Sequence, residues 1–191
     1  MNYQDNRCFL VRHGETEWSL ARRHTGRTDL PLLPEGTVQA ESLPSRLAGH
    51  DFALVLTSPL FRARETSRLA GFGERAEIDP DLAEWDYGDY EGLTTAEILA
   101  EDRDWDLFAH GAPGGETPEE VGRRADRVIA RIRAANGDGL CFAHGHLLRV
   151  LGARWLGLSP TEGRGFTLDP ASISILGWER SHPVVMGWNL S

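Results

Sequence analysis

Four short stretches hold residues that could do chemistry together: LVRHGETEW with Arg12 and His13, TSPLFRARET with Ser58 and Arg62, LAEWDYGDYEG with Glu84 and Tyr87, and FAHGHLLR with His144 and His146. Three of them lie where an apolar run stops abruptly at polar groups. An arginine beside a histidine at a strand end is costly unless an anion pairs with it or water reaches it. Guanidinium groups offer planar, paired N–H donors that match an oxyanion with three peripheral oxygens, so phosphate is the natural guest. Two other chemistries compete for the same residues. His144 and His146 form an HxH pattern that could bind zinc with His13 or His24, although no carboxylate lies at a supporting spacing. Ser58 could suggest serine catalysis, but TSPL lacks a glycine-flanked nucleophile turn, and helix capping suits it better.

Composition narrows the field. The 191 residues are 40% hydrophobic and 26% charged, which suits one domain, 1–191, with a substantial core. All 20 basic residues are arginine, so Schiff-base lysine chemistry and the phosphate-loop lysine are excluded. Any phosphate clamp must be built from arginine, histidine and backbone amides. The net charge of −9 argues against a nucleic-acid partner. Arg149 and Arg154 interrupt the longest apolar region, which argues against a membrane partner, and MNYQDNRCFLVRH does not resemble a secretion signal. A cytoplasmic location is expected. Cys8 and Cys141, each just before a phenylalanine in an apolar run, read as buried thiols.

The elements that must position these groups follow from the pattern. CFLVRHG at 8–14, FALVLTSP at 52–59 and LCFAHGH at 140–146 read as strands covered on both faces. PEGTVQAESLPSRLAGH reads as a helix entered at Pro34 and kinked or divided at Pro44. LFRARETSRLAG reads as a helix ending near Gly71. Thr94 with Glu97 and Thr117 with Glu120 each fit a capping box, which predicts helices over about 95–109 and 118–135, the second with Pro118 at its first position. HLLRVLGARWLGL reads as a further helix, and ASISILGW and HPVVMGW as closing strands. The alternation predicts an α/β fold, a three-layer α/β/α sandwich around a mainly parallel mixed sheet, with its ligand at the carboxyl ends of the strands.

Taken in order, RHGETEW, TSPLFRA, EWDYGDYEG and AHG resemble the histidine phosphatase superfamily, the phosphoglycerate-mutase-like group, over nearly the whole chain. EWDYGDYEGLT, GET and AHGHLLR look most like the branch of sedoheptulose-1,7-bisphosphatases and broad acid phosphatases. The resemblance implies hydrolysis of a small phosphorylated metabolite, a sugar phosphate or bisphosphate, without metal or other cofactor. It implies that His13 is the nucleophile that becomes a phosphohistidine, that Arg12, Arg62 and His144 hold the non-bridging oxygens, and that Glu84 is the general acid and base. Arg12 and Arg62 should keep His13 neutral by like-charge repulsion, and Asp86 or Glu15 could raise the Glu84 pKa if they face it. Gly14 should allow close approach of the phosphoryl group. Ser19, Thr25, Gly26, Tyr87, Gly145 and His146 would line the pocket.

The sequence departs from the pattern at three places. Ser19 and His146 stand where the mutases usually have asparagine, and Leu33 stands where a threonine usually caps the first long helix. A mutase needs extra cations over its pocket, yet between Leu93 and Gly111 Arg103 is the sole Lys or Arg among five acidic residues. A phosphatase is therefore the expectation, with a cofactor-dependent phosphoglycerate mutase and a noncatalytic phosphate sensor as alternatives. Arg22, Arg23 and Arg27 are either a second anion site near the entrance or solvated loop charges. The oligomeric state stays open, a homodimer included.

Overall fold

Six strands form one sheet in the computed structural model, which describes residues 6–191; residues 1–5, the start of the stretch read above for a secretion signal, lie outside the described residues. The chain runs β1 (Cys8–Arg12), α1 (Glu17–Leu20), α2 (Pro34–Glu41), α3 (Leu43–Leu47), β2 (Phe52–Thr57), α4 (Phe61–Leu69), β3 (Glu77–Ile78), α5 (Thr95–Glu101), α6 (Leu107–His110), α7 (Pro118–Ala134), β4 (Asp138–Ala143), α8 (Gly145–Trp155), β5 (Ile173–Glu179) and β6 (His182–Leu190), with three short 3₁₀ turns. The strand order is β3-β2-β4-β1-β5-β6. The β3-β2, β2-β4 and β4-β1 pairs are parallel, and β5 and β6 add antiparallel partners at one edge.

The apolar runs are unbroken because the sheet has a core on each face. Along β1, Cys8 and Leu10 enter one cluster and Phe9 and Val11 the other; along β4, Cys141 and Ala143 join the first while Leu140 and Phe142 join the second. Side chains alternate across a strand, so a two-sided core requires every position to be apolar. The first cluster takes Val121, Val128 and Ile132 from α7 and Leu147, Leu148 and Leu151 from α8. The second takes Ala40 from α2 and Leu43 and Leu47 from α3. Both cysteines are free and buried.

Both capping boxes form, with Thr94 and Glu97 at α5 and Thr117 and Glu120 at α7. Leu33 gives α2 no side-chain cap, as its type dictates. The helix entered at Pro34 is divided at Ser42, with Pro44 in the first turn of α3. The helix expected over 95–109 is two helices. It stops at Asp102, which adopts an extended conformation, and restarts at Asp106, whose carboxylate caps Phe108. Aspartate favours such caps over helix interiors, and Trp105 is drawn into the core with its indole N–H on the Gly111 carbonyl.

Candidate active site

The register of the parallel strands assembles the site. Arg12 lies opposite Ala143 and Thr57 opposite Phe142, so Ser58, His144 and His13 emerge in a row at the carboxyl end of β2, β4 and β1. The row is extended by backbone bonds from the Ser58 amide to the Phe142 carbonyl (2.9 Å) and from the His13 amide to the Ala143 carbonyl (3.0 Å). The two imidazole rings stand 5.1 Å apart, centroid to centroid.

His13 is 5% exposed and fixed in one tautomer. Its Nδ1 lies 2.7 Å from the Gly14 carbonyl, which can only accept, so Nδ1 carries the proton and Nε2 carries the lone pair. Burial pushes the His13 pKa well below the usual imidazole value, and the positive charges of Arg62 and then Arg12 push it further. The sequence anticipates the like-charge repulsion; the larger cause is desolvation. His13 opens on a cavity of about 110 Å³ that Arg12, Glu84, Tyr87 and His146 also line. Arg12 donates from Nη1 to the Leu168 carbonyl, while its buried Nε–H has no partner among the described residues. Burial lowers the Arg12 pKa, opposed by the Glu84 charge.

Behind this pair, Arg62, His144 and Ser58 are bonded to one another and to backbone. Arg62 is fully buried on α4. Its Nη2 donates to the Thr25 and Gly26 carbonyls, Nη1 donates to the Thr28 carbonyl, and Nε donates to His144 Nδ1 at 3.2 Å. Because an arginine N–H only donates, His144 Nδ1 accepts, and Nε2–H donates to Ser58 Oγ at 2.7 Å. Burial first, then Arg62 and His13, hold the His144 pKa well below its usual value. Neither Arg62 nor His144 lines the cavity. Ser58 does accept from the Leu60 amide, but its other bond is to His144, and the first free amide of α4, that of Phe61, is capped by Asp29 from 32 residues away.

Glu84 lines the cavity with His13 and Arg12 and is 8% exposed. Its carboxylate accepts from the amides of Trp85 and Leu147 (both 2.9 Å) and of His146 (3.1 Å), which ties it to the first turn of α8. Asp86 is paired instead with Arg27 at 2.6 Å, and Glu15 lines an outer chamber of about 460 Å³ rather than the inner cavity. Tyr87 OH pairs with His146 Nδ1 at 2.5 Å, and burial raises the Tyr87 pKa well above the phenol value.

The remaining expectations divide. Ser19, Thr25 and Gly145 line the cavity. The Ser19 hydroxyl is held in the α1 capping box with Thr16. Gly26 lies outside the cavity wall, where its amide donates to Glu91 and a Cβ would come within 2.6 Å of the Trp85 carbonyl. Gly14 is glycine for packing: a Cβ there would lie 2.3 Å from the Gly36 carbonyl on α2. Arg22 and Arg23 face the outer chamber together, with Arg23 Nη1 bonded to the Gly92 carbonyl and Glu97; Arg27 is largely exposed, paired with Asp86, and does not join them. The zinc arrangement does not assemble. Both His144 nitrogens are engaged, and among the described residues no cluster of three or more His, Cys, Asp or Glu side chains could hold a metal.

Sequence reasoning missed Arg149 and Leu168 in the inner wall, and it puts Arg23, which also lines that wall, only near the entrance. Arg149 had a signal, since it lies four residues beyond Gly145 on α8 and therefore on the same helical face. It is held over the Phe108 ring at 4.4 Å and donates from Nε to the Gly163 carbonyl. The place of Leu168 had none. A cavity lined by a guanidinium, a neutral imidazole, a carboxylate and the first residue of α8 can receive a phosphoryl group and exchange protons beside it.

Comparison with known proteins agrees. The sequence pattern of the histidine phosphatase superfamily (branch 1) matches residues 8–191. An acid phosphatase of Mycobacterium tuberculosis is 42% identical over 184 residues, covering 94% of this chain and 90% of that one. Sedoheptulose 1,7-bisphosphatase of Saccharomyces cerevisiae is 40% identical over 184 residues, covering 80% and 68%. A structure solved for an open reading frame of Mycobacterium tuberculosis overlays with a TM-score of 0.93 at 38% identity, covering 97% of this chain and 98% of that one. With the motifs, the sheet order and these matches in agreement, the chain belongs to the histidine phosphatase superfamily.

Proposed function

We propose that the protein is a phosphatase that hydrolyses a small phosphomonoester, a sugar phosphate or bisphosphate, through a phosphohistidine on His13. The observation that carries this reading is the bond from His13 Nδ1–H to the Gly14 carbonyl, which leaves the Nε2 lone pair of a neutral ring available as a nucleophile. In the first step Nε2 attacks phosphorus, the N–P bond forms and the ester P–O bond breaks, and a proton on Glu84 passes to the departing alkoxide. In the second, water attacks the phosphohistidine, Glu84 takes its proton, and inorganic phosphate leaves with His13 restored. The transition state is loose, so the protein's main task is to meet charge on the peripheral oxygens. Arg12, whose Nε–H has no partner among the described residues, and Gly145 at the first position of α8 support that reading; the next two amides of α8 already serve Glu84. Arg62 acts from behind, through its charge and through His144. The two named relatives support the substrate class, one being an acid phosphatase and the other a sugar bisphosphatase.

A panel of phosphorylated metabolites, assayed with and without a chelator, tests the reading against His13→Ala. Release of phosphate should survive chelation and fall by about 10⁴-fold or more in the variant, the scale of losing a nucleophile. Turnover of the variant near the wild-type rate removes the phosphohistidine, and isomerisation of 3-phosphoglycerate that depends on a bisphosphorylated primer makes the protein a mutase instead.

A further inference from the structure

We propose that Arg124 and Glu116 are positioning residues for proton transfer: together they clamp the loop that carries Glu84 and so aim its carboxylate at the leaving oxygen. This rests on the reading of Glu84 as general acid and base given above.

Arg124 projects from α7, and neither it nor Glu116 lines the cavity at His13. From Nη1 it donates to the carbonyls of Asp81 and Ala83, both at 2.8 Å. From Nη2 it donates to the Glu84 carbonyl at 3.4 Å and to Glu116 Oε2 at 2.7 Å, and from Nε to Glu116 Oε1 at 2.8 Å. A guanidinium has five N–H donors, so all of them serve this loop and its partner side chain. Glu116 completes the grip. Its Oε2 accepts from the Asp86 amide (3.0 Å), its amide donates to the Asp86 carbonyl (2.9 Å), and its carbonyl accepts from the Trp85 indole (2.9 Å).

The two loops are also built to touch. A Cβ on Gly115 would lie 2.2 Å from the Asp86 carbonyl, and one on Gly88, at φ +49°, would lie 2.2 Å from the Pro113 carbonyl. The backbone on both sides of Glu84 is thus fixed from α7 and the loop before it, while the head of the side chain is fixed by amides of Trp85 and of α8. Proton transfer needs donor and acceptor within hydrogen-bond reach, so a shift of a few tenths of an ångström in this loop changes its rate. The GET motif of the sequence, which the phosphate-binding groups leave unexplained, gains a role as one half of the clamp.

The test compares kcat/KM for an alkyl phosphate, whose alkoxide must be protonated to leave, with kcat/KM for p-nitrophenyl phosphate, whose phenolate leaves unaided. Both constants report steps up to formation of the phosphohistidine. Arg124→Ala and Glu116→Gln should lower the alkyl value by about 10- to 100-fold and the aryl value by less than about threefold, within the span of general-acid contributions. Equal losses on the two esters, or no loss on either, overturn the proposal. Should Arg124→Ala fail to fold, Glu116→Gln carries the same comparison alone. Glu84→Gln separates the two readings: if it too loses both esters equally, the acid assignment falls; if it alone is selective for the alkyl ester, only the clamp does.

Discussion

Arg62 is fully buried and Arg12 partly so, and both act on the His13 ring, yet their hydrogen bonds point to different work. Arg62 donates to three backbone carbonyls and to His144. Arg12 keeps a buried Nε–H without a partner among the described residues and lines the cavity. The first is bonded to the protein from all three of its nitrogens; the second has one nitrogen left without a bond among the described residues. A buried, unpartnered charged donor costs stability in the empty protein, and that cost is recovered when an oxyanion arrives. The histidines repeat the division. His144 has both nitrogens occupied, whereas His13 has one occupied and one available. The molecule thus joins an inner layer with few bonds to spare to an outer layer with open ones, which the proposed function makes the reacting layer.

The largest effect that can break this comparison comes from removing each arginine. Arg12→Ala should lower kcat/KM by about 10²- to 10³-fold, the usual loss for one charge-stabilising donor, with stability changed by about 1 kcal/mol. Arg62→Ala should destabilise the fold by about 3–5 kcal/mol, because it strands buried partners that lose their donor. Urea unfolding and steady-state kinetics on both variants decide it; equal stability losses would erase the distinction between the layers.

A second effect is set by pH. His13, His144 and His146 are all held neutral chiefly by burial, with pKa values well below that of an unfolded imidazole. Between the folded and unfolded values the unfolded chain binds more protons, so stability rises with pH in that window. Their contribution is fully present above about pH 6.5 and is lost as pH falls below it, at up to about 1.4 kcal/mol per pH unit for each histidine. Thermal unfolding between pH 7.5 and 5 should show Tm falling with acidity; a flat profile contradicts the neutral, buried rings. The acid limb of phosphohistidine formation attributable to His13 should likewise lie below pH 6.5.

The smallest effect sharpens the comparison. Ser58→Ala removes the acceptor that fixes His144 Nε2–H, and because the ring keeps its bond from Arg62, kcat should fall by about tenfold or less, worth about one hydrogen bond. A loss as deep as that of Arg12→Ala would move Ser58 into the reacting layer.

Much of the fold was legible because its signals are local. The runs at β1, β2 and β4 read as doubly covered strands, and the capping boxes at Thr94 and Thr117 formed as read, since a cap involves residues three apart. The stretch 95–109 misled because a sound start signal says nothing about the stop, and Trp105 was drawn out of the helix by a core the sequence does not display. The sequence suggests that Gly14 makes room for phosphate, whereas its missing side chain makes room for Gly36. A glycine announces close approach but not what approaches.

The sequence by itself determined the reactive residue types, their place at strand ends and the family they belong to, because strand periodicity and motif spacing act over a few residues. The tertiary structure alone decided which donors remain free. Arg12 is bonded to a carbonyl 156 residues away, Arg62 to a ring 82 residues away and Arg124 to backbone about 40 residues away, all by way of strand register and helix packing. Hydrogen-bond saturation depends on every group that folding brings within 3 Å or so, and no local pattern encodes that sum.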